Sequence, residues 1–138
     1  MPIRQFKEFL MGFAVFALMD LFWFSFVVKT FHLSQLAVVG RIENGQFDLM
    51  ILPAIFVYVL MSLSFTVFVL PKLAPLKNSM QVFAISAFMG FIIYGVFDFT
   101  NLAILKNYPV PFAVVDILWG SFTYGAMGLF FKKLKLAH

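Results

Sequence analysis

Three aspartates stand inside long apolar runs of this chain: Asp20 in FALMDLFWF, Asp98 in YGVFDFTNL and Asp116 in FAVVDILWG. An aspartate at the centre of a membrane helix costs about 2.5 to 3.5 kcal/mol. Three of them cost about 8 to 10 kcal/mol, comparable with the whole stability of a small domain. Either a partner compensates each one or the acids serve a function. The chemistry open to such a cluster is proton exchange, because a carboxylic acid beside a carboxylate donates and accepts protons in turn. The same groups could bind and release a proton or cation during transport. Three oxygen donors also admit a metal. However, no histidine lies at their depth and Mg²⁺ sites usually complete themselves with substrate phosphate, so neither a metal nor a cofactor is expected.

The neighbours of the acids point the same way. Asp20 and Trp23 form Asp-x-x-Trp, and Asp116 and Trp119 repeat it, using both tryptophans of the chain. A one-turn offset sets each indole on the face of its own carboxyl, where the ring supplies a π-rich wall able to stabilise a developing carbocation. Tyr94, Asp98 and Asn101 share one helical face at offsets of four and three, with Thr100 adjoining. Gly120 and Thr123 extend the Asp116 stripe. Ser86 with Gly90, and Ser121 with Gly125, are small-residue pairs that let helices approach closely. Asp98 is expected to be the principal acid–base group, oriented by Asn101 and tuned by Asp20 and Asp116. Trp23, Tyr94, Thr100, Asn101, Trp119, Gly120 and Thr123 are expected to line the substrate. Taken singly, each acid is as readily a strut between helices as a working group. His32 reads as a solvated interfacial histidine, and Lys106 and Tyr108 as interfacial anchors.

Membrane helices are the elements that must position these residues. Of the 138 residues, 63% are hydrophobic and only 12% charged, with a mean hydropathy of +1.00. A soluble domain of this size could not hide so much apolar surface. A span needs about 20 mostly apolar residues, and four segments qualify: 9–28, 49–70, 81–105 and 110–131. The expectation is an all-α integral membrane bundle of four transmembrane helices, forming one domain over residues 1–138. Asp48 is expected to cap the second helix and Pro71 to stop it. Asn78 and Ser79 offer the third its start, and the prolines at 109 and 111 open the fourth. The basic start resembles a signal peptide but lacks a cleavage site, so it is expected to remain as a helix. With no cysteine, disulfides and thiolate chemistry are excluded.

Four spans place both termini and the second loop on one side. Arg4, Lys7, Lys72, Lys77, Lys132, Lys133 and Lys135 lie there, against Lys29, Arg41 and Lys106 opposite. This bias predicts cytoplasmic termini in a bacterial inner membrane. It also explains the net charge of +4 without nucleic acid. The long first loop, 29–48, is apolar enough to rest on the bilayer or extend the first helix until Gly40 and Asn44-Gly45 reverse it.

Counted from that outer side, Asp20, Asp98 and Asp116 sit at one level, roughly 8 to 14 Å deep, on three helices. They are therefore expected to converge on one pocket. A lipid-like molecule, fatty acyl or isoprenoid, is the expected substrate for acid–base chemistry there. One alternative is a small proton- or cation-coupled transporter. The other is an assembly subunit for a membrane complex, which predicts a polar stripe facing outward. Membrane lipids, a second copy of the chain or another membrane protein are the expected partners.

At MDLFW, FDFTNLAILKNYP and VDILWG the chain resembles a family of small bacterial membrane proteins, domain of unknown function 2177. The likeness spans the chain and rests on Met-Asp-x-x-Trp, Asp-x-Thr-Asn-x-Ala and Asp-x-x-Trp-Gly. It implies that Asp20, Trp23, Asp98, Thr100, Asn101, Asp116, Trp119 and Gly120 are the family's characteristic positions. The third motif typically opens with tyrosine before its aspartate, whereas Phe97 stands here. The resemblance also implies a neighbourhood of lipid-modifying enzymes and hence a lipid substrate.

Overall fold

A computed structural model describes residues 2–134, so Lys135, counted above among the basic residues, lies outside the described residues. Helix α1 (Ile3–Phe22) runs on through a π-helical turn, Trp23–Val27, and α2 (Lys29–Gln35) follows after a break at Val28. A two-stranded hairpin, β1 (Ile42–Glu43) and β2 (Gln46–Phe47), leads to α3 (Ile51–Ser64). A second π-helical turn, Phe65–Val69, then passes into α4 (Leu70–Leu73), followed by α5 (Ser79–Ile104) and α6 (Val110–Lys133). Four continuous spans result, Ile3–Val27, Ile51–Leu73, Ser79–Ile104 and Val110–Lys133, each long and apolar enough to cross a bilayer. The protein is an all-α membrane bundle of four helices.

Several helix ends differ from the sequence expectation for local reasons. The first span begins at Ile3 rather than at residue 9, because Arg4 and Glu8 pair one turn apart at 3.0 Å and carry the helix beyond the apolar run. Asp48 does not cap α3. Its carboxylate accepts from the Arg41 guanidinium at 2.9 Å and ties the base of the hairpin instead. Pro71 does not stop the second span either. The helix widens into the π turn just before it and continues to Leu73, so the missing proline N–H breaks no regular ladder. Asn78 does cap α5, its side chain accepting the Met80 N–H at 2.8 Å. Asn44 and Gly45 both take positive φ, 50° and 75°, as a two-residue hairpin turn with right-handed strand twist requires.

Packing follows rows of residues four apart. Helix α1 buries Glu8, Gly12, Phe16 and Asp20; α5 buries Val82, Ser86, Gly90 and Asp98, with half-buried Tyr94 filling the gap in that row. Asp20 and Asp98 are thus the last members of inward-facing ridges. Helix α6 is the central one, packed against α1, α2, α4 and α5. Its closest approach is to α5, where a Cβ on Gly90 would run into the Gly120 backbone and one on Gly128 into Ser86. The core between these helices is Phe16, Met61, Phe65, Leu73, Tyr124, Met127 and Phe131, in the half of the bundle nearer the chain ends. Helix α3 enters that core from Met61 onward; residues 51–60 are exposed or half-buried, with Tyr58 packed against the core's edge.

Candidate functional site

The helix ends confirm the common depth of the acids. Asp20 lies seven residues before Val27, Asp98 six before Ile104 and Asp116 six after Val110, which places each about 9 to 11 Å from the loop end of its span. All three are buried, with exposures of 3%, 0% and 6%. They face inward because each occupies the buried line of its own helix.

Asp98 and Asp116 face one another across the α5–α6 contact, close enough to interact. The Tyr108 hydroxyl donates to Asp98 Oδ1 at 2.7 Å, while Oδ2 is buried with no hydrogen-bond partner among the described residues. Asp20 stands on the α1 side. The Trp119 indole donates to its Oδ1 at 2.7 Å, and the Tyr58 hydroxyl of α3 also turns towards it. A carboxyl oxygen that takes a donor from across the bundle recovers much of its desolvation cost, since hydrogen bonds to charged or acidic groups are the stronger ones. Asp20 and Asp116 are close enough to interact electrostatically, and Tyr94 faces both. The three acids therefore form one cluster at the loop end of the bundle.

The tryptophans act differently from the expectation of one indole per carboxyl on the same helix. Trp23 and Trp119 stack face to face, with centroids 4.1 Å apart and planes 3° from parallel. Stacking turns the Trp119 N–H away from Asp116 on its own helix and towards Asp20 on α1. The Trp23 N–H is buried with no acceptor among the described residues. The π turn that begins at Trp23 is what swings this ring over α6.

Other expected lining residues divide into two groups. Tyr94 packs its ring on Gly120, where any Cβ would collide with it, and points its hydroxyl at the Met61 sulfur, 3.8 Å away. Gly120 thereby makes room at the cluster. Asn101 is placed towards Tyr108 rather than Asp98. Thr123 does not line the site: its hydroxyl bonds the backbone carbonyls of Trp119 and Gly120 at 3.1 and 3.0 Å. Thr100 does not join it either. Two residues beyond Asp98 it has turned some 200° about the helix, onto an outward groove with Phe91, Ile92, Gly95, Val96, Phe99 and Ala103. Phe97, where the family typically has tyrosine, is also outward and exposed.

Two tyrosines were missed. Tyr58 lies seven residues inside α3 from Ile51, the depth of the acids, and the same counting would have found it. Tyr108 read as an interfacial anchor, but the turn between α5 and α6 spans only residues 105–109. So short a return lays the ring back over Asp98. His32 was expected in solvent and is 1% exposed, enclosed by Phe24, Phe31 and Phe112 at 4.9 to 5.7 Å between ring centroids.

Tyr58, Tyr94, Tyr108 and the paired indoles crowd round the three acids. Two clefts lie elsewhere, the outward groove on α5 and a hollow at the start of α1 lined by Ile3, Arg4, Lys7, Glu8 and Met11. Among the described residues no three His, Cys, Asp or Glu side chains are grouped as a metal site.

Comparison with curated proteins and with solved structures gives no match. Over residues 5–131 the sequence matches the family described as "Predicted membrane protein (DUF2177)", an interval that holds all three aspartates, both tryptophans, Tyr58 and Tyr108. The acid cluster thus lies wholly within the matched interval, and the chain belongs to this family of membrane proteins.

Proposed function

We propose that the acid cluster is an intramembrane acid–base site that acts on a lipid-like molecule, fatty acyl or isoprenoid, arriving sideways from the bilayer. The observation that carries this reading is the stance of α3. Above Met61 it buries no residue, although Tyr58 on that stretch reaches Asp20. Tyr58 and Tyr94, each half-buried, stand on α3 and α5 at the edges of the interval leading to Asp20 and Asp116. An apolar chain can enter there without crossing water, and modest rotations of two phenol rings would open the acids to it. In this reading the Asp98–Asp116 pair exchanges the proton, Tyr108 orients Asp98 with Asn101 behind it, and Asp20 with the indoles forms the opposite wall. The inward direction of all three acids supports an internal site over glue for another subunit, since the outward face offers only Thr100 from the expected set. We further assign the chain ends to the cytoplasmic side, on the excess of basic residues there.

The test is comparative lipidomics of cells lacking the protein, complemented with wild type or with Asp98→Asn at matched expression. A lipid species that follows the wild type and not the variant is the expected result and names the substrate class. A fully active Asp98→Asn protein would overturn the assignment of that residue.

A specific observation favours a second reading, proton-coupled transport. Below the acids the Tyr124 hydroxyl bonds Ser64 at 2.8 Å, and the buried hydroxyls of Thr66 and Ser86 have no partner among the described residues. Buried polar groups of this kind are where water enters a bundle. Proton flux into liposomes holding the purified protein, lost in Tyr124→Phe, would favour it over the lipid reading.

A further inference from the structure

The loop end of the acid cluster is covered by α2, and the residue that α2 presses down is a histidine. His32 is 1% exposed, its Nε2 has no hydrogen-bond partner, and three phenylalanine rings surround it: Phe24 of the π turn, Phe31 of its own helix and Phe112 of α6. Phe112 stacks edge-on against Tyr108, the donor to Asp98. Beneath α2, Leu36 packs with Tyr108, Phe112 and Ala113. The helix is seven residues long and is separated from α1 by Val28, whose φ of −116° and ψ of 10° leave the helical region. A short helix on such a joint, held down by an imidazole whose Nε2 has no partner among the described residues, is built to lift.

We propose that α2 is a lid over the loop end of the acid cluster, latched shut by neutral His32 and released when His32 takes up a proton from the aqueous side. A charged imidazolium could not remain among three rings without an acceptor, because leaving a buried charge unpaired is far costlier than leaving a buried neutral nitrogen so. No acid is placed to hold it. Within α2 the one other charged residue is exposed Lys29, and the π turn carries no titratable side chain. From the α6 side the nearest titratable groups are Tyr108, behind Phe112, and Asp116 one turn further in; the Arg41–Asp48 pair of the hairpin is exposed and satisfied. Burial alone pushes the imidazole down from 6.5 to about 4. The depressed value belongs to the closed lid and the ordinary one to the open lid. Closure is therefore fully stable above about pH 6.5 and weakens as pH falls from there towards 4, by about tenfold in the opening equilibrium per pH unit. The inference goes beyond the lipid reading and stands or falls separately from it.

Since the chain has no cysteine, one introduced thiol reports alone. Ala113→Cys sits under the lid at a position 2% exposed, and Ser34→Cys on the exposed side of α2 gives the intrinsic reactivity at each pH. Maleimide labelling of the first, divided by that of the second, should rise about tenfold between pH 7.5 and 5.5. Adding His32→Leu should hold the ratio low and flat. A flat ratio in the His32 protein, or a rise that survives His32→Leu, overturns the proposal. Should Ala113→Cys not fold, hydrogen exchange of residues 28–40 in the unmodified chain, corrected for intrinsic exchange, must show the same acid-dependent opening and the same loss of it in His32→Leu.

Discussion

The two helical hairpins of this bundle are built on opposite plans. Helices α5 and α6 meet backbone to backbone, through Gly90 against Gly120 and Gly128 against Ser86, and they bring Asp98 and Asp116 close enough to interact. Helices α1 and α3 meet through side chains, with the Ser62 hydroxyl bonded to the Phe9 carbonyl at 2.6 Å beside Gly12, and the far half of α3 is exposed or half-buried. The close pair fixes Asp98 and Asp116. The looser pair carries Asp20 and Tyr58, and Asp20 is joined to the rigid half by one indole. The difference teaches that a tightly packed pair holds two of the acids and a less closely packed pair the third, the division on which the proposed sideways entry rests.

The comparison breaks most severely at Gly120. Gly120→Ala drives a Cβ into the Tyr94 ring and should cost about 3 kcal/mol, read as loss of the folded protein in a detergent unfolding series. Gly12→Ala meets only the Ser62 hydroxyl, the mobile end of a short side chain. It should cost about 1 kcal/mol, mainly through the displaced Ser62 hydrogen bond. Equal losses at the two glycines would mean that the two hairpins are equally rigid.

The bonds that hold the acids give the next contrast. Trp119→Phe removes the donor that joins α1 to α6, leaves a buried carboxyl oxygen short of a partner and weakens the indole stack. A loss of about 2 to 3 kcal/mol is expected, together with a blue-shift and simplification of the emission, since Trp23 becomes the sole fluorophore. Tyr108→Phe removes an equally short bond, but one that spans only ten residues and joins nothing distant. It should cost about 1 to 2 kcal/mol while lowering the activity that Asp98→Asn abolishes. A Tyr108→Phe protein with full activity and reduced stability would make the phenol a strut only.

Much of this arrangement was legible from residue order, because depth in a membrane helix is counted in residues. Asp20, Asp98 and Asp116 reached one level by arithmetic alone, and the inward row of α5 followed from offsets of three and four. Direction around the helix was legible only where the offset was three or four, close to one full turn. Thr100 was grouped with Asp98 as a near neighbour, yet two residues carry it most of the way to the opposite face. Which helix a donor serves was not legible at all: Trp119 bonds Asp20 at a separation of 99 positions, through a stack that only the π turn at Trp23 permits. Tyr108 and His32 were misplaced for a related reason. A loop residue in a membrane protein reads as water-exposed until the length of the turn and the fold of α2 show it lying back on the bundle.

The smallest effect is expected at Thr100, and it sharpens the comparison by showing where the site ends. The residue belongs to a motif that the family resemblance singles out, yet its side chain lies in an outward groove among Phe91, Ile92, Val96 and Phe99, while Tyr94 and Asp98 occupy the other side of α5. Nothing in the acid cluster touches it. Thr100→Ala should therefore change stability by no more than about 0.5 kcal/mol and leave the lipid profile of complemented cells as in wild type. Activity lost in Thr100→Ala, with folding intact, would extend the working surface of the rigid hairpin to its lipid-facing side. The substrate would then approach across the back of α5 rather than between α5 and α3.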